Sequence, residues 1–92
     1  MFAIAFDLDV NALRDSYGEP YNNAYYEIKK LLRNYDYYNT QGSVYLSSDN
    51  DMLNLVRAMN GLKAVPWFKE SVRDIRAFRV EDWSNFMPFF KE

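Results

Sequence analysis

Ser71-Val72-Arg73-Asp74-Ile75-Arg76-Ala77-Phe78-Arg79-Val80 fits two periods at once. Val72, Ile75 and Phe78 fall at the spacing of three that a helix uses, whereas the β-branched content and the segment before it favour a strand. Read as a strand, it closes the order βαββαβ. Upstream of it, Ser48-Asp49-Asn50-Asp51 resembles a capping box with Asp in the acidic position, and Met52, Val56, Met59 and Leu62 carry a helical stripe bracketed by Gly61 and Pro66. Before that, Tyr37-Tyr38-Asn39-Thr40 and Ser43-Val44-Tyr45-Leu46-Ser47 are rich in β-formers and are split by Gln41-Gly42, the pattern of a hairpin. From Pro20 to Asn34, Ala24, Ile28, Leu31 and Leu32 recur at helical spacing, with Glu27, Lys29, Lys30 and Arg33 mainly elsewhere on the wheel.

At the start of the chain, Phe2, Ile4, Phe6 and Leu8 alternate with Ala3, Ala5 and Asp7, the period of two that a strand requires. Asp9-Val10-Asn11 supplies capping side chains for a short helical turn, Ala12 to Tyr17, which Gly18 ends. After the last strand comes an aromatic tail with Trp83, Phe86, Phe89 and Phe90. The expectation is one α/β domain over residues 1–92, a ferredoxin-like βαββαβ sandwich whose antiparallel sheet carries its helices on one face.

Composition narrows the chemistry. With 49% hydrophobic and 26% charged residues the chain is globular, and at 92 residues it has room for one core. It contains neither Cys nor His, so disulfides, thiolate zinc sites and every Ser-His-Asp arrangement are excluded. Carboxylates, hydroxyls, lysines and tyrosines are left. The first residues lack a basic leader and Asp7 interrupts their apolar run, which predicts a cytoplasmic protein with no membrane partner. A net charge of −2 argues against a whole-surface grip on phosphate, so any nucleic acid would be held locally.

In the expected topology the first strand lies between the third and fourth and runs antiparallel to both. Its end then meets their beginnings, and Asp7, Ser43 and Arg73-Asp74 converge. If Phe2, Ile4, Phe6 and Leu8 pack under the helices, Asp7 looks out of the helix-free face. The same alternation sends Val44 and Leu46 inward and puts Ser43 and Tyr45 beside Asp7, with Asp74, Arg76 and Phe78 joining from the fourth strand. A one-residue slip or bulge would substitute Arg73 and Arg79. Such a cluster suffices for phosphodiester chemistry: an Asp can act as general base or hold Mg²⁺, an Arg can neutralise phosphoryl charge, and RNA brings its own 2′-hydroxyl nucleophile. The same residues also fit plainer roles. Asp7 suits a strand end that helps to cap the next helix, Ser43 a turn hydroxyl, and Asp74 a surface ion pair with a neighbouring Arg.

Met1-Phe2-Ala3-Ile4-Ala5-Phe6-Asp7-Leu8, Thr40-Gln41-Gly42-Ser43-Val44-Tyr45, Pro66-Trp67-Phe68, the Ser71–Arg79 run and Val80-Glu81-Asp82-Trp83-Ser84 together resemble virulence-associated protein D, VapD, over essentially the whole chain. Asp7 and the hairpin are also similar to a small CRISPR-associated protein of spacer acquisition. Asp9 and Val10 lie in a stretch without a close match. The resemblance implies a ferredoxin-like homodimer with endoribonuclease activity, in some members the toxin of a toxin–antitoxin pair with a small antitoxin protein as partner. It assigns Asp7, Ser43 and Asp74 to catalysis; the topology adds Tyr45, Arg73 and Arg76 as substrate contacts. The competing class is a noncatalytic homodimeric interaction module, which the acidic composition and eight Tyr, seven Phe and two Trp in so small a domain would also suit.

Overall fold

The computed structural model describes residues 1–91. Its elements in chain order are β1 (Phe2–Leu8), α1 (Val10–Ser16), α2 (Asn22–Arg33), β2 (Tyr38–Gln41), β3 (Val44–Ser47), α3 (Met52–Lys63), α4 (Pro66–Ser71), β4 (Val72–Arg79) and α5 (Met87–Phe90). The four strands form one sheet in the order β2-β3-β1-β4, with β1 antiparallel to both β3 and β4. The plain two-helix βαββαβ sandwich expected from the sequence is not the architecture. Among the described residues, five helices accompany an open four-stranded antiparallel sheet.

Local chemistry explains the additional helices. Asp9 is the N-cap of α1, its side chain accepting from the Ala12 N–H at 3.0 Å, so the helix starts at Val10, two residues before the Ala12–Tyr17 segment expected from the sequence. Pro66 starts α4 instead of ending α3, because proline fits the first helical turn, where its missing N–H is not needed. Ser71 therefore ends a helix, and β4 begins at Val72. Asp51 caps α3 by accepting from the Leu53 N–H.

The core lies between one face of the sheet and α1 to α4. Phe2, Ile4, Phe6 and Leu8 meet Leu13, Ala24, Ile28, Leu32, Leu55, Ala58, Leu62 and Phe68 there. On α3 the buried stripe is Leu55, Ala58 and Leu62, whereas Met52 and Val56 of the expected stripe are exposed. No helix among the described residues is long and apolar enough to cross a membrane.

Candidate active site

The register of β1 against its neighbours decides which side chains share the open face. Phe6 is opposite Ile75, Ile4 opposite Ala77 and Phe2 opposite Arg79, so these residues belong to the helix-covered side. Asp7 is opposite Asp74, Ala5 opposite Arg76 and Ala3 opposite Phe78, which puts Asp74, Arg76 and Phe78 on the face of Asp7. Ala3 is fully buried although it points to this open face, since Leu46 and Phe78 flank it as its cross-strand partners.

Between Asp7 and Leu8 the register shifts. Leu8 pairs with Val72, so Arg73 is an extra residue in β4, a bulge that turns its side chain toward Asp7. The Arg73 Nε donates to Asp7 Oδ2 at 2.7 Å. One step along, the Arg76 Nε donates to Asp74 Oδ1 at 3.1 Å. Both Asp74 and Arg76 on the regular register and Arg73 through the bulge therefore join the cluster.

The electrostatics of this corner are balanced in pairs. Asp7 and Asp74 are directly opposite on adjacent strands, an arrangement that places side-chain roots about 5 Å apart and is unfavourable for like charges. Each carboxylate is offset by its own guanidinium. The Arg73 guanidinium is held above its ordinary pKa, first by the hydrogen bond to Asp7 and then by the charges of Asp7 and Asp9, with partial desolvation opposing them. All four side chains are more than half exposed, so the ion pairs add little to stability and remain open to a ligand. Because each hydrogen bond to a carboxylate uses Nε, the terminal guanidinium nitrogens keep donors for a phosphate. Asp7 does not cap the helix after it; Asp9 fills that role.

The hairpin side differs from expectation. Tyr45 pairs with Ile4 and not with the open-face set, and it is buried at 3% exposure, stacked on Phe6 with ring centroids 6.0 Å apart. It is a core residue at the floor of the helix-covered side, not a neighbour of Asp7, and burial raises its phenol pKa. Val44 and Leu46, not Tyr45, take the open face. Ser43 continues the same alternation: its carbonyl accepts from the Phe6 N–H at 3.2 Å, so it stands opposite Phe6 with Tyr45's parity. Ser43 thus adjoins the corner through the backbone while its side chain belongs to the other face.

Sequence reasoning missed Tyr25. This half-buried α2 residue has its phenol pKa raised by burial, then by the charges of Tyr21 and Asp7. Among the described residues no group of three or more acidic, His or Cys side chains could hold a metal. Asp7 and Asp74 are two carboxylates, enough for a Mg²⁺ that keeps water and substrate phosphate as its other ligands.

No family model matches the chain. Curated proteins do. The chain is 56% identical over 91 residues to an endoribonuclease VapD of Dichelobacter nodosus, covering 99% of this chain and 98% of the relative. It is 47% identical over 93 residues to an endoribonuclease VapD of Helicobacter pylori, with 99% of each chain covered. An endoribonuclease VapD of Haemophilus influenzae is 45% identical over 91 residues, again with 99% of each covered. Identity at this level along the full length, and not in one shared motif, shows that the chain belongs to the VapD endoribonuclease family.

Proposed function

We infer that this protein cleaves RNA phosphodiester bonds as a homodimer, with Asp7 at the centre of the reaction. The observation that carries the reading is the bulge in β4, which brings Arg73 onto Asp7 while the regular register puts Asp74 and Arg76 beside them. Asp7 takes the proton of the 2′-hydroxyl, the 2′-oxygen bonds to phosphorus, and the 5′-oxygen leaves with a proton from solvent, giving a 2′,3′-cyclic phosphate. Arg73 and Arg76 neutralise charge on the phosphoryl oxygens. Asp74 orients Arg76 and supports Asp7 as second acid–base group. Ser43 borders the site through its backbone, its carbonyl held by the Phe6 N–H, and its hydroxyl takes no part in this step. A Mg²⁺ held by Asp7 and Asp74 would add a further positive charge at the phosphate.

The toxin role with a small antitoxin protein as partner is carried by family membership alone; growth arrest on expression, relieved by the neighbouring reading frame, is its test. Homodimerisation is supported by exposed aromatic surface that one copy leaves uncovered: Phe78, Trp83, Phe86, Phe89 and Phe90. Light scattering at micromolar concentration should report about twice 11.0 kDa; a strict monomer would remove the dimer.

The same aromatic tail favours the second reading, a noncatalytic homodimeric interaction module. RNA cleavage by wild-type protein, compared with Asp7→Asn prepared in parallel, separates the two. Equal cleavage by both preparations would mean a contaminant and leave the interaction module standing.

A further inference from the structure

On α2, Tyr26, Lys29, Lys30 and Arg33 stand at i, i+3, i+4 and i+7, the spacing that lines up one face of a helix. That face is opposite the buried stripe of Ala24, Ile28 and Leu32. All four are exposed, Tyr26 at 68%, and together they line a shallow hollow of about 390 Å³. Among the described residues, Lys29, Lys30 and Arg33 take part in none of the ion pairs, whereas Arg14, Arg73 and Arg76 all do. Glu27, the acidic residue of α2, is engaged elsewhere by the Tyr17 hydroxyl. In a chain of net charge −2 this is a local concentration of uncompensated positive charge around an exposed aromatic ring.

A second hollow, of about 160 Å³, continues from the first, because Tyr26 and Lys29 line both. Its other walls are Tyr25 on α2 and Asn39, Gly42 and Tyr45 on the hairpin. Asn39 donates through Nδ2 to the Gly42 and Val44 carbonyls, which leaves its Oδ1 as an acceptor.

We propose that the outer face of α2 is an RNA-binding surface separate from the scissile site, with Lys29, Lys30 and Arg33 holding backbone phosphates, Tyr26 stacking an unpaired base, and the adjoining Tyr25–Asn39 hollow extending the surface onto the hairpin. The cations meet the charge of a phosphate backbone, and the exposed ring needs a base whose face is free, which single-stranded RNA offers and a duplex does not. The strip rises about 10 Å along the helix, enough for a few phosphates of an extended strand. This surface rests on the nuclease reading for the class of its ligand.

The test is fluorescence anisotropy with a labelled 2′-O-methyl single-stranded oligonucleotide, which lacks the nucleophile for cleavage. Wild-type binding should weaken with salt. Lys29→Gln/Lys30→Gln/Arg33→Gln should weaken it at least tenfold and lower the salt slope by about 2, at roughly 0.7 per lost phosphate contact. Tyr26→Leu should cost about tenfold through stacking. A charge-matched variant on α3 and α4, Arg57→Gln/Lys63→Gln/Lys69→Gln, should stay within about twofold of wild type. Equal losses in both triple variants would overturn the surface, as would an unchanged salt slope in the α2 variant. Duplex RNA bound as tightly as the single strand, or polyglutamate competing on equal terms, would also overturn it, the latter in favour of an acidic protein partner. Wild-type cleavage of ordinary RNA is measured alongside. Cleavage with α2-insensitive binding removes the surface and spares the nuclease, whereas α2-dependent binding without cleavage supports the surface and removes the nuclease.

Discussion

β1 has two neighbours, and the molecule treats them differently. On the β3 side the helices close over the sheet, and Tyr45 and Ser47 are buried at 3% and 1%. On the β4 side the residues of the same face, Ile75, Ala77 and Arg79, are half-buried or exposed. β3 is an inner strand with β2 beyond it, whereas β4 is an edge strand at the rim of the helical layer. An inner strand under helices must be filled with packed side chains; an uncovered edge can keep four charged groups hydrated and within reach of a ligand. Stability should therefore depend on the β3 flank and chemistry on the β4 flank.

The largest expected effect tests the chemical flank at its centre. Asp7→Asn is nearly isosteric and removes charge and basicity, so initial RNA cleavage rates should fall about 10³-fold with an unchanged circular dichroism spectrum. Loss of the spectrum together with activity would assign Asp7 to the fold instead. On the β3 flank, Tyr45→Ala should lower unfolding free energy by about 3 kcal/mol through the cavity it leaves, read by urea denaturation. Tyr45→Phe keeps the ring against Phe6 and should stay within about 1 kcal/mol of wild type. A stable Tyr45→Ala with lost cleavage would break the division between the flanks.

Next come Arg73→Ala, Asp74→Asn and Arg76→Ala, each expected to lower turnover by roughly 10² without changing oligomeric state. Because Asp74 and Arg76 bond to each other, their double mutant should fall short of the product of the single effects. Full activity in all three would take β4 out of the mechanism. Arg79→Ala should be the mildest, within about twofold on rate. Arg79 sits opposite Phe2, its guanidinium 5.0 Å from that ring's centroid, at the far end of β4.

Much of the fold was legible because strong local signals agreed with the final packing. The alternation of Phe2, Ile4, Phe6 and Leu8 and the helical spacing of Ala24, Ile28 and Leu32 are both realised. On β4, Ile75 faces the helical side and Asp74 and Arg76 the open side, as parity from the sequence suggested. β3 was misread because hydrophobicity ranked Val44 and Leu46 above Tyr45 and Ser47, yet pairing with β1 and not side-chain rank assigns the faces. α3 was misread for a related reason, since Met52 and Val56 are apolar but stand outside the stripe that meets the sheet. Pro66 carried two compatible meanings, a stop and a start, and only the packing of Phe68 into the core selects the second.

The bulge at Arg73 sets regularity against reactivity. Removing that one residue would let β4 run opposite β1 without interruption, a more uniform ladder with no unpaired position. It would also withdraw the guanidinium that balances Asp7 across from Asp74. A shortened β4 would thus gain order in its backbone and lose the charge arrangement at its corner. If the proposed site is the catalytic one, engineering this chain for heat tolerance by smoothing its sheet would select against cleavage, a trade concentrated in a single position of the strand.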